Sequence, residues 1–175
     1  LEKWLVDLRD AMKPNGALPV IVPTGGWGYS WGNGPVCDGV FFEVPYRLYL
    51  HTGDKKPLVD SLEYFDRYLA LLKSYEDENQ DVTIGLCDWA AADNENRVSA
   101  TFINSVYRVK FLRIAILAAT LAEKDATPYE NQLKEHLAVH NAKYTNSDGT
   151  CKINRLTSVA MTIYHDIYED IAPLA

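Results

Sequence analysis

Residues 99–122 read SATFINSVYRVKFLRIAILAATLA. Phe102, Val106, Val109, Leu112, Ile116 and Ala119 recur at steps of three and four, so on a helix they lie along one side. The run predicts a helix over about Ser99–Ala122, and the same periodicity extends outward in both directions. Upstream, Leu58, Leu62, Phe65, Leu69 and Leu72 stripe a helix over about Lys56–Tyr75, with Pro57 in its first turn. A further helix is predicted over Asp38–His51, with Asp38 as N-cap, Pro45 bending it and Gly53 stopping it. The first covers Leu1–Met12, ended by Pro14, Asn15 and Gly16. Downstream, Thr127, Pro128 and Glu130 make an N-cap, a first-turn proline and a capping box for a helix ending near His140. After the turn Asn146–Gly149 a sixth helix is predicted over Asn154–Tyr168, buried through Val159, Ala160, Ile163, Tyr164 and Ile167.

Six helices thus alternate with loops, and no parallel-sheet pattern appears. The stretch Ala17–Cys37 carries five glycines and three prolines, a mixture that no regular element accepts. The second long loop is Glu76–Arg97, within which Val82–Trp89 reads as a short strand or turn. No close sequence repeat is present; the repeating unit is the pair of helices.

Composition narrows the class of function. Of 175 residues, 47% are hydrophobic and 23% charged, enough apolar material for a packed core. Apolar runs are broken by charge or proline before a membrane-spanning length. The net charge of −7 argues against nucleic acid and against anionic lipid as partners. Cys37, Cys87 and Cys151 are widely spaced, which gives neither a disulfide framework nor a zinc pattern; reduced thiols are expected. Leu1 lies inside an apolar-periodic segment, which reads as a cut or processed end.

No phosphate-binding glycine motif, HExxH or GxSxG is found. His136 and His140 are spaced for one helix face, but no third metal ligand accompanies them, and a solvated or helix-end pair is expected. The reading therefore calls for no metal and no cofactor. The informative segment is Trp27, Tyr29 and Trp31 interleaved with glycines. Flat rings stack on sugar C–H faces, and neighbouring carboxylates accept sugar hydroxyls. Asp88 and Trp89 repeat the theme. Asp38 and Glu43 form a candidate carboxylate pair on one helix, although Asp38 also suits capping and the tryptophans also suit plugging the end of a bundle.

These residues resemble a known family. The run Trp4-Leu5-Val6-Asp7-Leu8-Arg9-Asp10-Ala11, Asn15-Gly16-Ala17-Leu18-Pro19, Trp27-Gly28, Asp38-Gly39, Val44-Pro45-Tyr46-Arg47-Leu48-Tyr49 and Thr52-Gly53-Asp54 is similar to bacterial α-L-rhamnosidases of glycoside hydrolase family 78. Gly85–Trp89 resembles that family's Gly-Asp-Trp loop, and Asn146–Thr150 its later Asp-Gly turn. The resemblance covers essentially the whole chain. It implies an all-α fold of helical hairpins forming about half of an (α/α)6 toroid, with residues 1–175 a single partial domain of the catalytic ring. It implies inverting hydrolysis of terminal α-L-rhamnosides by two carboxylates. In the family pattern one lies before the part represented here and the other well after it. No catalytic residue is therefore carried over, Asp38 and Glu43 included, and the chain is expected to be inactive alone.

What the resemblance does carry over is part of a sugar pocket: Trp89, Asp88 and Asp38, with Trp31 or Trp27 offering a stacking face where Cys37 replaces a family tryptophan. Cys87 likewise stands where a glycine is usual. The expected partners are an L-rhamnose-containing carbohydrate and, through exposed helix faces, a second copy of the chain. The rivals are a non-catalytic helical module binding carbohydrate or protein, and a different toroid enzyme such as a lyase.

Overall fold

A computed structural model describes residues 1–23, 26–29, 34–88 and 97–167. Its helices are α1 (Glu2–Ala11), α2 (Gly34–Asp38), α3 (Val40–Thr52), α4 (Lys56–Val59), α5 (Leu62–Ser74), α6 (Ala100–Leu121), α7 (Thr127–Tyr144) and α8 (Leu156–Tyr164). Among the described residues the only strand-like pairings are two isolated bridges, Glu76 with Val82 and Thr145 with Cys151. The strand or turn expected at 82–89 is thus reduced, over its described part, to the pairing of Val82.

Helix α6 is the centre. Its Ser99 hydroxyl accepts the Phe102 amide and starts the helix. Residues are buried around its whole circumference, from Phe102, Ile103 and Asn104 to Ala118 and Ala119, rather than along a single stripe. A helix apolar on all sides must be enclosed; α2, α3, α4, α5, α7 and α8 all pack against it. Phe42 of α3 lies sandwiched between Phe65 of α5 and Phe111 of α6, with ring centroids 4.2 Å apart on each side.

Several predicted boundaries move, each for a local reason. The helix expected at 56–75 is broken between α4 and α5. Arg9 of α1 donates to the Pro57 carbonyl at 2.6 Å and to the Ser61 hydroxyl at 2.8 Å, and Ser61 Oγ takes the same carbonyl at 2.9 Å. With that carbonyl diverted, the Ser61 amide turns to Leu58 instead, and the helix steps. Helix α7 begins at Thr127, and no capping box forms, because Asp125 already accepts the Thr127 amide at 2.9 Å. It also runs past His140 to Tyr144, whose ring meets Phe102 edge-on at 5.1 Å. Helix α8 is shorter than predicted and turned differently. Ser158 and Thr162 face inward with Ile167, whereas Ala160, Ile163 and Tyr164 are exposed.

The structure also reveals the repeat that sequence comparison along the chain misses. After α1, α5 and α7 the backbone makes the same five-residue turn. Lys13, Asp77 and Asn146 each bond through the amide to the carbonyl four residues on, at 3.0, 3.0 and 2.8 Å. The fourth residue has φ of +89° at Gly16, +61° at Gln80 and +84° at Gly149. Gly16 is doubly required, since a side chain there would run into the Arg67 carbonyl. Gln80 is the one side chain paying the left-handed cost, so Gln80→Gly is expected to stabilise the chain by about 0.5–1 kcal/mol in urea unfolding. A loss of stability would show that Gln80 contributes contacts outweighing the strain.

Candidate functional site

Three long connections, 13–33, 75–99 and 145–155, lead from these turns into the N-termini of α2, α6 and α8. They converge. Gly34, at the start of α2 with φ +59°, packs so closely on Gly85 that a side chain would come within 2.7 Å of its Cα. Asn104 of α6 donates to the carbonyls of Val82 and Ile84 at 2.7 and 2.8 Å, holding the second connection down. The Asp88 amide reaches the Val98 carbonyl at 3.4 Å, and Asp88 Oδ2 accepts from the Thr157 hydroxyl in the first turn of α8 at 2.8 Å. This loop end carries the predicted carboxylates.

Asp38 is not the N-cap predicted for it. Helical backbone already starts at Gly34, so Asp38 ends α2, and Gly39 is the residue that precedes α3. Asp38 Oδ2 instead accepts from the Tyr68 hydroxyl of α5 at 2.7 Å. Tyr68 is 1% exposed, and burial first, then Asp38, holds its phenol well above the usual range, so it remains a donor. Glu43 does not form an acidic pair with Asp38; it forms ion pairs with Arg47, at 3.0 Å, and with Lys110 of α6.

Trp27 sits on the first connection, 58% exposed. That connection is tied to α1: Trp4 Nε1 donates to the Val22 carbonyl at 3.0 Å, the Tyr29 hydroxyl to the Ala11 carbonyl at 2.6 Å, and the Lys13 ammonium lies 4.1 Å above the Tyr29 ring. Tyr29, predicted as part of a stacking loop, is thus an anchor. Trp31 and Trp89 lie outside the described residues. Cys37 is half-buried beside Asp38, and burial pushes its thiol up. All three cysteines are free.

The histidine pair is neither solvated nor at a helix end. His136 and His140 are 8% and 1% exposed, and both face Ser105 of α6. His136 Nε2 lies 2.9 Å from the Ser105 carbonyl, which can only accept, so that nitrogen carries the proton. Ser105 Oγ and His140 Nδ1 share a second hydrogen bond at 2.8 Å. Burial drives both imidazoles down to about 4. Among the described residues no group of three His, Cys, Asp or Glu side chains is placed to hold a metal ion, and no helix is long and apolar enough to cross a membrane.

Sequence reasoning missed the groups that set these carboxylates. Tyr68 is thirty residues from Asp38 and Thr157 sixty-nine from Asp88. Tyr68 reads as one more apolar position on its helix. Thr157 reads as a residue near a helix start.

Enclosed helices joined by loops that gather at one end define a helical-hairpin fold of the toroid class. The family model for the bacterial alpha-L-rhamnosidase 6 hairpin glycosidase domain matches residues 1–173, and the chain belongs to that family. A Streptomyces avermitilis protein named alpha-L-rhamnosidase is 30% identical over 171 residues, which is 97% of this chain and 16% of that protein. The crystal structure of Streptomyces avermitilis alpha-L-rhamnosidase complexed with L-rhamnose superposes with a TM-score of 0.81 at 27% identity, covering 98% of this chain and 16% of the other. The native Aspergillus terreus enzyme gives 0.76 at 17% identity and covers 98% and 21%; at that identity it speaks to the fold alone. The chain therefore matches a hairpin portion of much longer proteins.

Proposed function

We propose that the chain supplies one side of the sugar pocket of an enzyme that hydrolyses terminal α-L-rhamnosides with inversion. The observation that carries this reading is the loop end itself. Two carboxylates, Asp38 and Asp88, are held there by hydroxyl donors from other helices, in a fold matching a rhamnosidase solved with L-rhamnose. A carboxylate has two oxygens and about four acceptor directions. The bonds from Tyr68 and Thr157 orient these carboxylates, and an oriented carboxylate suits gripping sugar hydroxyls. Exposed Trp27, together with Trp31 and Trp89 from the sequence, supplies flat faces for the ring.

Inversion requires a carboxylic acid on the leaving oxygen and a carboxylate activating water on the opposite side, about 6.5–9.5 Å apart. In this reading both lie outside residues 1–175, and Asp38 and Asp88 bind rather than react. Residues 1–175 are then one partial domain of the catalytic ring.

Calorimetric titration with L-rhamnose is expected to show millimolar binding that is lost in Trp89→Ala and weakened about tenfold in Asp88→Asn. The same pure chain is expected to leave a chromogenic α-L-rhamnoside intact. Clear turnover would overturn the placement of the acid and base. Absence of any rhamnose binding would favour a protein-binding surface instead.

Exposed apolar surface extends the proposal to self-association. Leu156, 88% exposed, and Ile163, 56% exposed, share one side of α8 with Ala160. A second copy covering that side is expected to give concentration-dependent mass in light scattering, reduced by Ile163→Lys. A monomer at high concentration would remove this part of the reading.

A further inference from the structure

A cavity of about 270 Å³ opens between α3, α6 and the end of α8, below the loop end. That is close to the lower limit of about 300 Å³ for ligand pockets. Its wall is unlike the rest of the molecule. The chain as a whole carries a net charge of −7. Here Arg47 of α3 and Lys110 and Arg113 of α6 converge, against the carboxylates of Glu43 and of Asp166 on the exposed rim.

The pairing leaves positive charge over. Glu43 is shared between Arg47, at 3.0 Å, and Lys110. Arg113 directs its guanidinium at the backbone carbonyls of His165 and Asp166, which are neutral acceptors and do not cancel its charge. Lys110 is 16% exposed in its side chain, so water screens it poorly. The local field registers on His165, which also lines the cavity. Burial first, then Lys110 and Arg113, brings its imidazole down to about 4. The Arg47 guanidinium also reaches the Tyr164 hydroxyl at 3.0 Å, which fixes its plane at the mouth.

We infer that this cavity is a binding site for an oxyanion, a carboxylate, sulfate or phosphate group, held by Lys110 and Arg47 with Arg113 supplying field. Guanidinium and ammonium donors make short, charge-assisted bonds to such oxygens. The room beyond a single ion admits a sugar that bears the anionic group. The inference does not depend on rhamnoside hydrolysis, because none of its residues belongs to the proposed sugar grip.

The test is an NMR titration of the His165 imidazole with sodium sulfate and, separately, sodium D-glucuronate, each against sodium chloride at equal ionic strength. Saturable shifts at millimolar or lower concentration are expected, and the His165 midpoint should rise by about one unit as the anion offsets the neighbouring cations. Lys110→Met is expected to weaken binding about tenfold or more, and half-exposed Arg47→Gln, which puts folding at little risk, by a comparable factor. Glucuronate binding about tenfold tighter than sulfate assigns the site to a sugar-borne carboxylate; glucuronate binding no tighter than sulfate assigns it to free oxyanions. Shifts reproduced by chloride, or unchanged in both variants, overturn the inference.

Discussion

Replacing Phe42 with alanine is expected to cost about 3–5 kcal/mol of stability, the largest effect of any single substitution considered for this chain. Phe42 is fully buried, and its ring is stacked against Phe65 and Phe111 at 4.2 Å, with interplanar angles of 14° on both sides. Tyr68 and Phe41 close the cluster edge-on at 5.7 and 6.1 Å. Removing the ring would lose its transfer free energy and leave a hole between three helices that cannot all collapse into it. The consequence reaches the loop end, because Tyr68, packed on Phe42, holds Asp38. Urea unfolding should show a lowered midpoint with an unchanged slope. Phe42→Leu should cost distinctly less. A change below about 1 kcal/mol for alanine would mean that the three helices do not share this core.

Acidification is the second large effect. His136 and His140 titrate near 4 in the folded chain, below the ordinary value of 6.5. The unfolded chain therefore binds more protons through the interval between those values. Stability is full above about pH 6.5 and falls as pH drops toward 4. Between pH 7 and 5, one such histidine contributes a loss of about 2 kcal/mol, and the two do not add freely because they share Ser105. Arg108 and Lys143 oppose protonation of His136, and Glu76 favours it, but burial dominates. His165, likewise brought down to about 4, adds a contribution of the same sign. The check is the urea midpoint at pH 7, 6 and 5. A flat profile would place water or a compensating charge beside Ser105.

The loop end was legible in residue type and not in arrangement. Asp38 followed by Gly39 and an apolar run looks like a helix start, whereas the structure begins α2 four residues upstream at Gly34 and turns Asp38 toward the Tyr68 hydroxyl. Glu43 looked like a partner for Asp38 because both lie on one helix. Lys110, sixty-seven positions further along, claims it instead. The i,i+4 spacing of His136 and His140 correctly placed them on one side of a helix. It carried no information on whether that side met solvent or Ser105. Similarly, the apolar positions of the last helix were visible, but which of them turned inward depended on Ser158 and Thr162, whose hydroxyls bond back to the backbone at Ile153 and Ser158 and so can be buried.

Local chemistry alone determined that this chain is helical, where its long connections fall and which family it resembles, because periodicity, proline and glycine act within a turn or two of themselves. The tertiary structure decided which carboxylates accept hydroxyl bonds from distant helices, which are consumed in ion pairs, and that three turns of unlike sequence, around Gly16, Gln80 and Gly149, are one repeated device. Those outcomes depend on which distant segments meet. A side chain's hydrogen-bond partner is selected by the packing of helices separated by tens of residues, and no pattern within a single helix encodes it.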